Sequence, residues 1–97
     1  MLHQLEFSNL ATFEQARLEL DAGLNILSGM SGAGKSVVLM ALKLSLGGRF
    51  SQRLLRDEAS EAEVRALYEL PPALKVKYEE ELQGAEELLI RRVFRRE

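Results

Sequence analysis

The residues with the clearest chemical meaning lie together between positions 29 and 36. They fill every fixed position of the pattern G-x-x-x-x-G-K-[ST], and in order they are Gly29, Met30, Ser31, Gly32, Ala33, Gly34, Lys35 and Ser36. Glycines at these spacings let backbone amides approach an anion closely, because no β-carbon stands in the way. The pattern therefore predicts a loop that binds phosphate groups.

The parts of this motif have distinct predicted roles. We expect the backbone amides of residues 32–36 to point inward as an anion nest. A helix that begins near Lys35 adds the positive end of its dipole. Lys35 supplies a positive charge to the β- and γ-phosphates, and the Ser36 hydroxyl is an oxygen ligand of the kind that Mg²⁺ prefers. The simpler interpretation, a glycine-rich turn with a solvated lysine, leaves the complete match unexplained.

A buried strand is predicted to lead into the motif, and a helix to leave it. Residues 24–27 are short and mostly apolar, as a strand buried on both faces should be. Residues 36–46 are apolar on almost every side of a helix, and Gly47-Gly48 is expected to cap its end. Strand, loop and helix in this order are the arrangement in which phosphate-binding loops occur.

The rest of the chain alternates between strand and helix patterns. Period-two alternation predicts strands at 2–8, 14–20, 61–70 and 87–95. A helix is predicted at 72–82, and its four-residue spacing favours core packing of Leu74, Tyr78 and Leu82. Two predicted strands precede the strand that leads into the motif. This order of elements is typical of ABC-type ATPase heads. The predicted fold is an α/β P-loop NTPase lobe whose mixed sheet packs on the P-loop helix.

Several further segments carry a family resemblance. They are the start Met-Leu-His-Gln-Leu-Glu-Phe-Ser-Asn-Leu, residues 23–29, Leu46-Gly47-Gly48-Arg49, Leu55-Arg56 and Leu88-Leu89-Ile90-Arg91-Arg92-Val93. With the loop, they resemble the N-terminus of the RecN family of bacterial DNA repair ATPases, although Met30 and Ser31 replace that family's usual Glu-Thr. RecN proteins are SMC-like, with an ABC-type head interrupted by a long coiled coil. The resemblance implies ATP as the nucleotide, Mg²⁺ as the metal, and action of the complete protein on DNA double-strand breaks.

Two parts of a complete head are missing from these residues. No apolar strand ends in the Asp-Glu pair that holds the Mg²⁺ shell and orients water. Residues 54–58 end in that pair, but Arg56 interrupts the apolar run, so we interpret them as a charged loop. The Leu-Ser-Gly-Gly signature is absent as well. We therefore interpret residues 1–97 as a partial head, without a coiled coil or C-terminal lobe, whose partner is that missing lobe or a second head.

Two sets of arginines are candidates for binding anions. The resemblance implies that Arg56, in the loop after the P-loop helix, lies near the nucleotide or DNA. The arginines at 91, 92, 95 and 96 have two interpretations that stay open. One is a charged strand edge that avoids pairing with other chains, and the other is contact with DNA phosphates.

The composition excludes several other classes of function. Thirteen basic and fifteen acidic residues give a net charge of −2, which excludes a uniformly basic nucleic-acid binder. The absence of cysteine excludes thiolate sites, and a single histidine excludes a histidine-pair metal site. The longest apolar run, at 37–42, is far shorter than the roughly 20 residues that cross a bilayer. We expect a cytoplasmic protein without membrane contact.

Two alternative functions remain open from the sequence. One is a small stand-alone P-loop kinase of nucleotides or metabolites, although no arginine-rich lid segment is recognisable. The other is a truncated product without independent activity. We assign no catalytic residue, and we expect this chain alone to bind ATP without hydrolysing it.

Overall fold

The computed structural model describes residues 2–19 and 32–97. Four strands lie within these ranges: β1 (Leu2–Leu10), β2 (Phe13–Glu19), β3 (Glu61–Glu69) and β4 (Glu87–Arg95). The helices there are α1 (Gly32–Ser45), α2 (Pro72–Lys77) and α3 (Glu79–Leu82), with a 3₁₀ helix at Gln52–Leu54. None of these described helices is long and apolar enough to cross a membrane.

The described strands form one sheet in the order β2-β1-β3-β4, and every neighbouring pair is antiparallel. The register places Leu5 opposite Leu18 on one side and opposite Ala66 on the other. Because side chains alternate in direction along each strand, this register collects apolar residues on one face. The four strands predicted from period-two alternation are confirmed, with ends that differ by at most two residues.

The mixed character of the predicted sheet rests on a segment that the structure does not describe. The strand predicted at 24–27 lies outside the described residues, so the mixed sheet stays a prediction. What the structure describes is an antiparallel sheet with one long helix, α1, packed against one face.

The core lies between α1 and the sheet face that contacts it, which we call the inner face. Its buried members come from β1, β3 and α1, and they are Leu5, Phe7, Leu10, Val37, Val38, Ala41, Leu44, Val64 and Ala66. Burying a leucine, valine or phenylalanine side chain contributes about 1.5–3 kcal/mol. This cluster is therefore the main source of stability in the described part of the chain.

The opposite, outer face of the sheet carries ion pairs. Glu6 lies between Arg17 and Arg65, with nitrogen–oxygen distances of 3.4 and 4.0 Å. Two further pairs join β3 to β4, namely Glu61–Arg95 and Glu63–Arg91. Exposed pairs of this kind contribute only about 0–1 kcal/mol each. Their main effect is that the outer face stays exposed to water. The apolar side of each strand is therefore the side that packs against α1.

α1 ends in a Schellman motif at the predicted cap, which is thereby confirmed. The amide of Gly48 donates to the carbonyl oxygen of Lys43 at 2.9 Å, and that of Gly47 donates to Leu44 at 3.2 Å. Gly47 has a φ of 97°, which side chains rarely allow. At Gly48 the constraint is space, because a β-carbon would lie 2.8 Å from the Lys43 carbonyl oxygen.

The helix predicted at 72–82 is instead two short helices. They meet at Tyr78, whose φ of −116° and ψ of 36° are not helical. The predicted core packing of its apolar face is wrong, since Leu74 is 40% and Tyr78 is 42% exposed. Helices of six and four residues bury little surface, and in the described part these two mainly contact each other.

The close approach at Gly48 gives a test of this cap. Gly48→Ala should lower the free energy of unfolding by more than about 1 kcal/mol, measured by urea denaturation, because the neighbouring atom is backbone. Gly32→Ala is the control, since an added β-carbon there meets nothing within 4 Å. In this variant the stability should stay constant or rise by up to about 1 kcal/mol. Equal losses in both variants would contradict the packing at Gly48.

Candidate functional site

The described part of the predicted loop lies in the first turns of α1. Gly34 is buried, the Lys35 side chain is half-buried and the Ser36 side chain is exposed. The remaining loop residues, Gly29, Met30 and Ser31, lie outside the described residues. The structure therefore describes the lysine and the hydroxyl of the motif, together with the helix that carries them.

α1 starts earlier in the chain than the sequence predicts. The helix already includes Gly32, Ala33 and Gly34, whereas the motif predicts a start near Lys35. The Ser36 hydroxyl donates to the carbonyl oxygen of Gly32 at 3.1 Å, a bond typical of hydroxyl residues inside helices. In an α-helix the Ser36 amide is directed to that same carbonyl. The first amides of a helix have no acceptor within it, and the anion nest expected at residues 32–36 stays a prediction.

Gly32 does not need to be glycine in this conformation. Its φ is not in the left-handed region, and a β-carbon would have open space. The described helix therefore places no conformational requirement for glycine at position 32.

Lys35 has no neutralising neighbour in the part of the chain that the structure describes. None of the ion pairs among residues 2–19 and 32–97 includes its ammonium group. A lysine without a carboxylate partner in the described part is suited to attract an anion at this end of α1.

The other end of α1 is joined to β3 by a buried hydroxyl pair. Ser45 is 3% exposed, and its Oγ lies 2.8 Å from the Tyr68 hydroxyl. The same Oγ donates to the carbonyl oxygen of Leu42 at 2.7 Å, so the tyrosine is the donor in the shared bond. This contact fixes the last turn of α1 over the centre of the sheet.

A second contact joins the same end of α1 to β4. Nη1 of Arg92 donates to the carbonyl oxygens of Leu44 at 2.7 Å and Gly48 at 2.8 Å. The guanidinium also lies over the Phe94 ring, 4.7 Å from its centroid. A cation here complements the partial negative charge of a helix C-terminus.

The sequence analysis did not assign Arg92 to α1, although a signal was present. In the predicted strand at 87–95, period two places Arg92 on the same face as Ile90 and Phe94. A charged residue between two inward-facing apolar residues indicates a specific buried partner.

Arg56 lies in the loop after the 3₁₀ helix, and its backbone is held at both ends. Its amide donates to the carbonyl oxygen of Asn9 at 2.9 Å, and its own carbonyl accepts from the Arg96 side chain at 3.1 Å. No hydrogen bond or ion pair within the described residues connects its guanidinium to Lys35 or Ser36, so its predicted place near the nucleotide stays a prediction.

The other C-terminal arginines have partners within the protein. Arg91 and Arg95 are exposed on the outer face and pair with glutamates of β3. Arg96 donates from Nε to the carbonyl oxygen of Ala59 at 2.8 Å. Arg91 and Arg95 are therefore exposed on a strand at one side of the described sheet, and both interpretations of these arginines stay predictions.

A shallow groove of about 420 Å³ runs along the free side of α1. Ser36 lines one end and Arg49 the other, with Leu39, Met40 and Lys43 between them. No cluster of metal-ligating side chains occurs among residues 2–19 and 32–97.

Comparison with known proteins identifies the class. A model of the AAA domain matches residues 4–96, so the chain belongs to the AAA domain family. The described α/β arrangement, an antiparallel sheet with a helix that carries the Gly-Lys-Ser residues, fits a P-loop ATPase lobe.

Within this class the chain is similar to the DNA repair protein RecN. It is 34% identical to RecN of Bacillus subtilis over 95 residues, which are 95% of this chain and 16% of that protein. It is 35% identical to RecN of Haemophilus influenzae over 99 residues, with 96% of this chain and 18% of the relative covered. Over 60 residues it is 47% identical to RecN of Deinococcus radiodurans, covering 62% of this chain and 11% of the relative. The chain thus spans less than a fifth of these relatives, and its predicted resemblance to RecN is confirmed.

The hydroxyl pair beneath α1 can be tested with a matched pair of variants. Tyr68→Phe should lower the free energy of unfolding by about 0.5–1.5 kcal/mol, because it removes the bond to Ser45. Tyr78→Phe is the control, since Tyr78 is 42% exposed, and its stability should not change. Urea denaturation measures both. A Tyr68→Phe variant as stable as the wild type would show that the hydroxyl contact does not hold α1.

Proposed function

We propose that this chain is the ATP-binding, N-terminal lobe of a RecN-like ATPase of the SMC type, and that residues 29–36 bind the phosphates of ATP. The observation that carries the proposal is the complete motif, whose Lys35 lies on a helix docked on a sheet and has no carboxylate partner among the described residues. The AAA domain match and the RecN relatives support this function over a stand-alone kinase.

The proposed site uses each residue type for a separate task. In the loop formed by Gly29, Met30, Ser31, Gly32, Ala33 and Gly34 with Lys35 and Ser36, the backbone amides of residues 32–36 hold the phosphate oxygens, and the Lys35 side chain adds a positive charge. The first amides of an α-helix have no acceptor within it and are directed toward an anion at its N-terminus.

Ser36 is the proposed protein ligand of Mg²⁺. Its side chain is exposed and its hydroxyl has one weak, replaceable partner, so the residue fits a hard cation that prefers oxygen. When bound beside ATP, Mg²⁺ would neutralise part of the phosphate charge. The protein itself contributes the hydroxyl and the positioning of the helix.

Arg56 is proposed as a second cationic contact, with the nucleotide or with DNA. Its guanidinium is half-buried, while its backbone is anchored to Asn9 and Arg96. A rigid backbone beneath a side chain without a protein partner in the described part is a suitable platform for binding an anion.

We further propose that a C-terminal lobe or a second head covers the free side of α1. Leu39 is 50% and Leu46 is 67% exposed there, next to the groove at Met40. Through such an assembly, a cytoplasmic RecN-like protein would act on DNA double-strand breaks. Hydrolysis is assigned to that assembly, and this chain alone binds ATP without turnover.

Titration calorimetry of ATP with Mg²⁺ tests the binding site directly. The wild-type chain should bind weakly, and Lys35→Ala should abolish binding while the circular dichroism spectrum stays unchanged, because the side chain carries the charge for the phosphates. Lys43→Ala is the matched control. It removes an exposed lysine from the same helix, and its affinity should equal that of the wild type.

A phosphate-release assay completes this experiment. Equal affinities of the wild type and Lys35→Ala would refute the role given to Lys35. Steady phosphate release by the wild type that is lost in Lys35→Ala would refute binding without turnover. In that case the exposed carboxylates Asp57 and Glu58 would be the first candidates for an overlooked catalytic group.

A further inference from the structure

Arg92 occupies a position where the fold otherwise places apolar side chains. In the register of β3 and β4 it lies opposite Val64, which is completely buried. Its neighbours on the inner face of β4 are Ile90 and Phe94, and both pair with buried alanines of β3. A guanidinium on this face loses part of its hydration, which is unfavourable unless strong hydrogen bonds replace the water.

The contacts of Arg92 are all directed at the end of α1 or at the aromatic residues beside it. Its Nη1 bridges the carbonyl oxygens of Leu44 and Gly48, at 2.7 and 2.8 Å. Phe94 lies against the guanidinium and stacks on Phe50 with a centroid distance of 4.2 Å and an interplanar angle of 8°. The aromatic pair shields the bridge from water, which strengthens it.

Directed bonds of this kind determine the position of α1 along its own axis. The side chains that α1 buries are small or aliphatic, and include Val37, Val38 and Ala41. Aliphatic contacts are non-directional, so the directed contacts between α1 and the sheet are those of Arg92 and of the Ser45–Tyr68 hydroxyl pair. Lys35 lies on the same helix, nine residues before Leu44. An α-helix has a fixed rise of about 1.5 Å per residue, so its two ends move together. A shift at the C-terminal end would therefore displace Lys35 and Ser36.

We propose that Arg92 is a positioning residue for nucleotide binding, which holds Lys35 and Ser36 in place by fixing the far end of α1. This inference rests on the proposed function of the loop. Among the described residues of the loop, 32–36, none has a hydrogen bond or ion pair with Arg92, and its proposed effect passes through the helix.

The test compares ATP·Mg²⁺ affinities by calorimetry at a temperature at which circular dichroism shows every variant folded. Arg92→Met keeps the length and apolar contacts of the side chain and removes its donors, and it should weaken binding about tenfold, as loss of supporting contacts around a site typically does. Arg92→Lys should bind more tightly than Arg92→Met, because both bonds come from one nitrogen and an ammonium can donate to two carbonyls.

Two control variants separate positioning from general stability. Arg91→Met removes the adjacent arginine, which pairs with Glu63 on the outer face, and should bind like the wild type. Val64→Ala weakens the core opposite Arg92 without removing a bond to α1, so its thermal midpoint should fall while its affinity stays constant.

The outcomes distinguish the inference from the function on which it rests. Wild-type affinity in folded Arg92→Met would overturn the inference alone, and so would equal weakening in Val64→Ala and Arg92→Met. An Arg92→Lys variant no better than Arg92→Met would also overturn it, because the donors would then not matter. Absence of ATP binding in the wild type would overturn the proposed function and this inference together.

Discussion

The attachment of the C-terminal end of α1 to the sheet is the contact on which the described structure depends. The last carbonyl groups of a helix lack partners within it, and here three separate devices satisfy them. Gly47 and Gly48 close the Schellman motif, Ser45 back-bonds to the last turn and meets Tyr68, and Arg92 bridges two carbonyls from β4. α1 is the only helix longer than six residues in the part that the structure describes, so the inner face would otherwise be left open to water. The contacts that satisfy the end of α1 therefore also keep the helix over the apolar inner face.

The nine arginines divide into three groups with different surroundings. Four of them form ion pairs with glutamates on the outer face, and these are Arg17, Arg65, Arg91 and Arg95. Arg92 and Arg96 donate to backbone carbonyls and hold loops or helix ends to β4. In the described part, the side chains of the remaining three have neither kind of partner, and all three lie in the segment that follows α1: Arg49, Arg53 and Arg56. This positive charge is local, because Asp57 and Glu58 directly follow Arg56 and offset most of it.

Periodicity predicted the strands well because each strand has one face exposed to water and one buried face. The outer faces of β1 and β3 carry Glu6 and Glu63 while the inner faces carry Leu5 and Val64, so period two is clear. It failed for residues 72–82, where the spacing of Leu74 and Tyr78 resembles a buried helix but no part of the described sheet lies beneath it. Spacing along the sequence predicts which residues share a face of a helix. Whether another element of the fold covers that face depends on tertiary packing. The same limit applies to Arg92, whose alternation could be read from the sequence while its partners at the end of α1 could not.

The motif lies at the other end of α1, where a helix carries a partial positive charge. The first amides of an α-helix have no acceptor within it, and they therefore favour an anion beside that end. The described helix includes Gly32 and Lys35, so the proposed phosphate contacts and the contacts of Arg92 lie at opposite ends of one helix. A helix that is held at its last turn keeps its first turn in a fixed place, and under the proposed function this is how the sheet would position Lys35 toward a ligand.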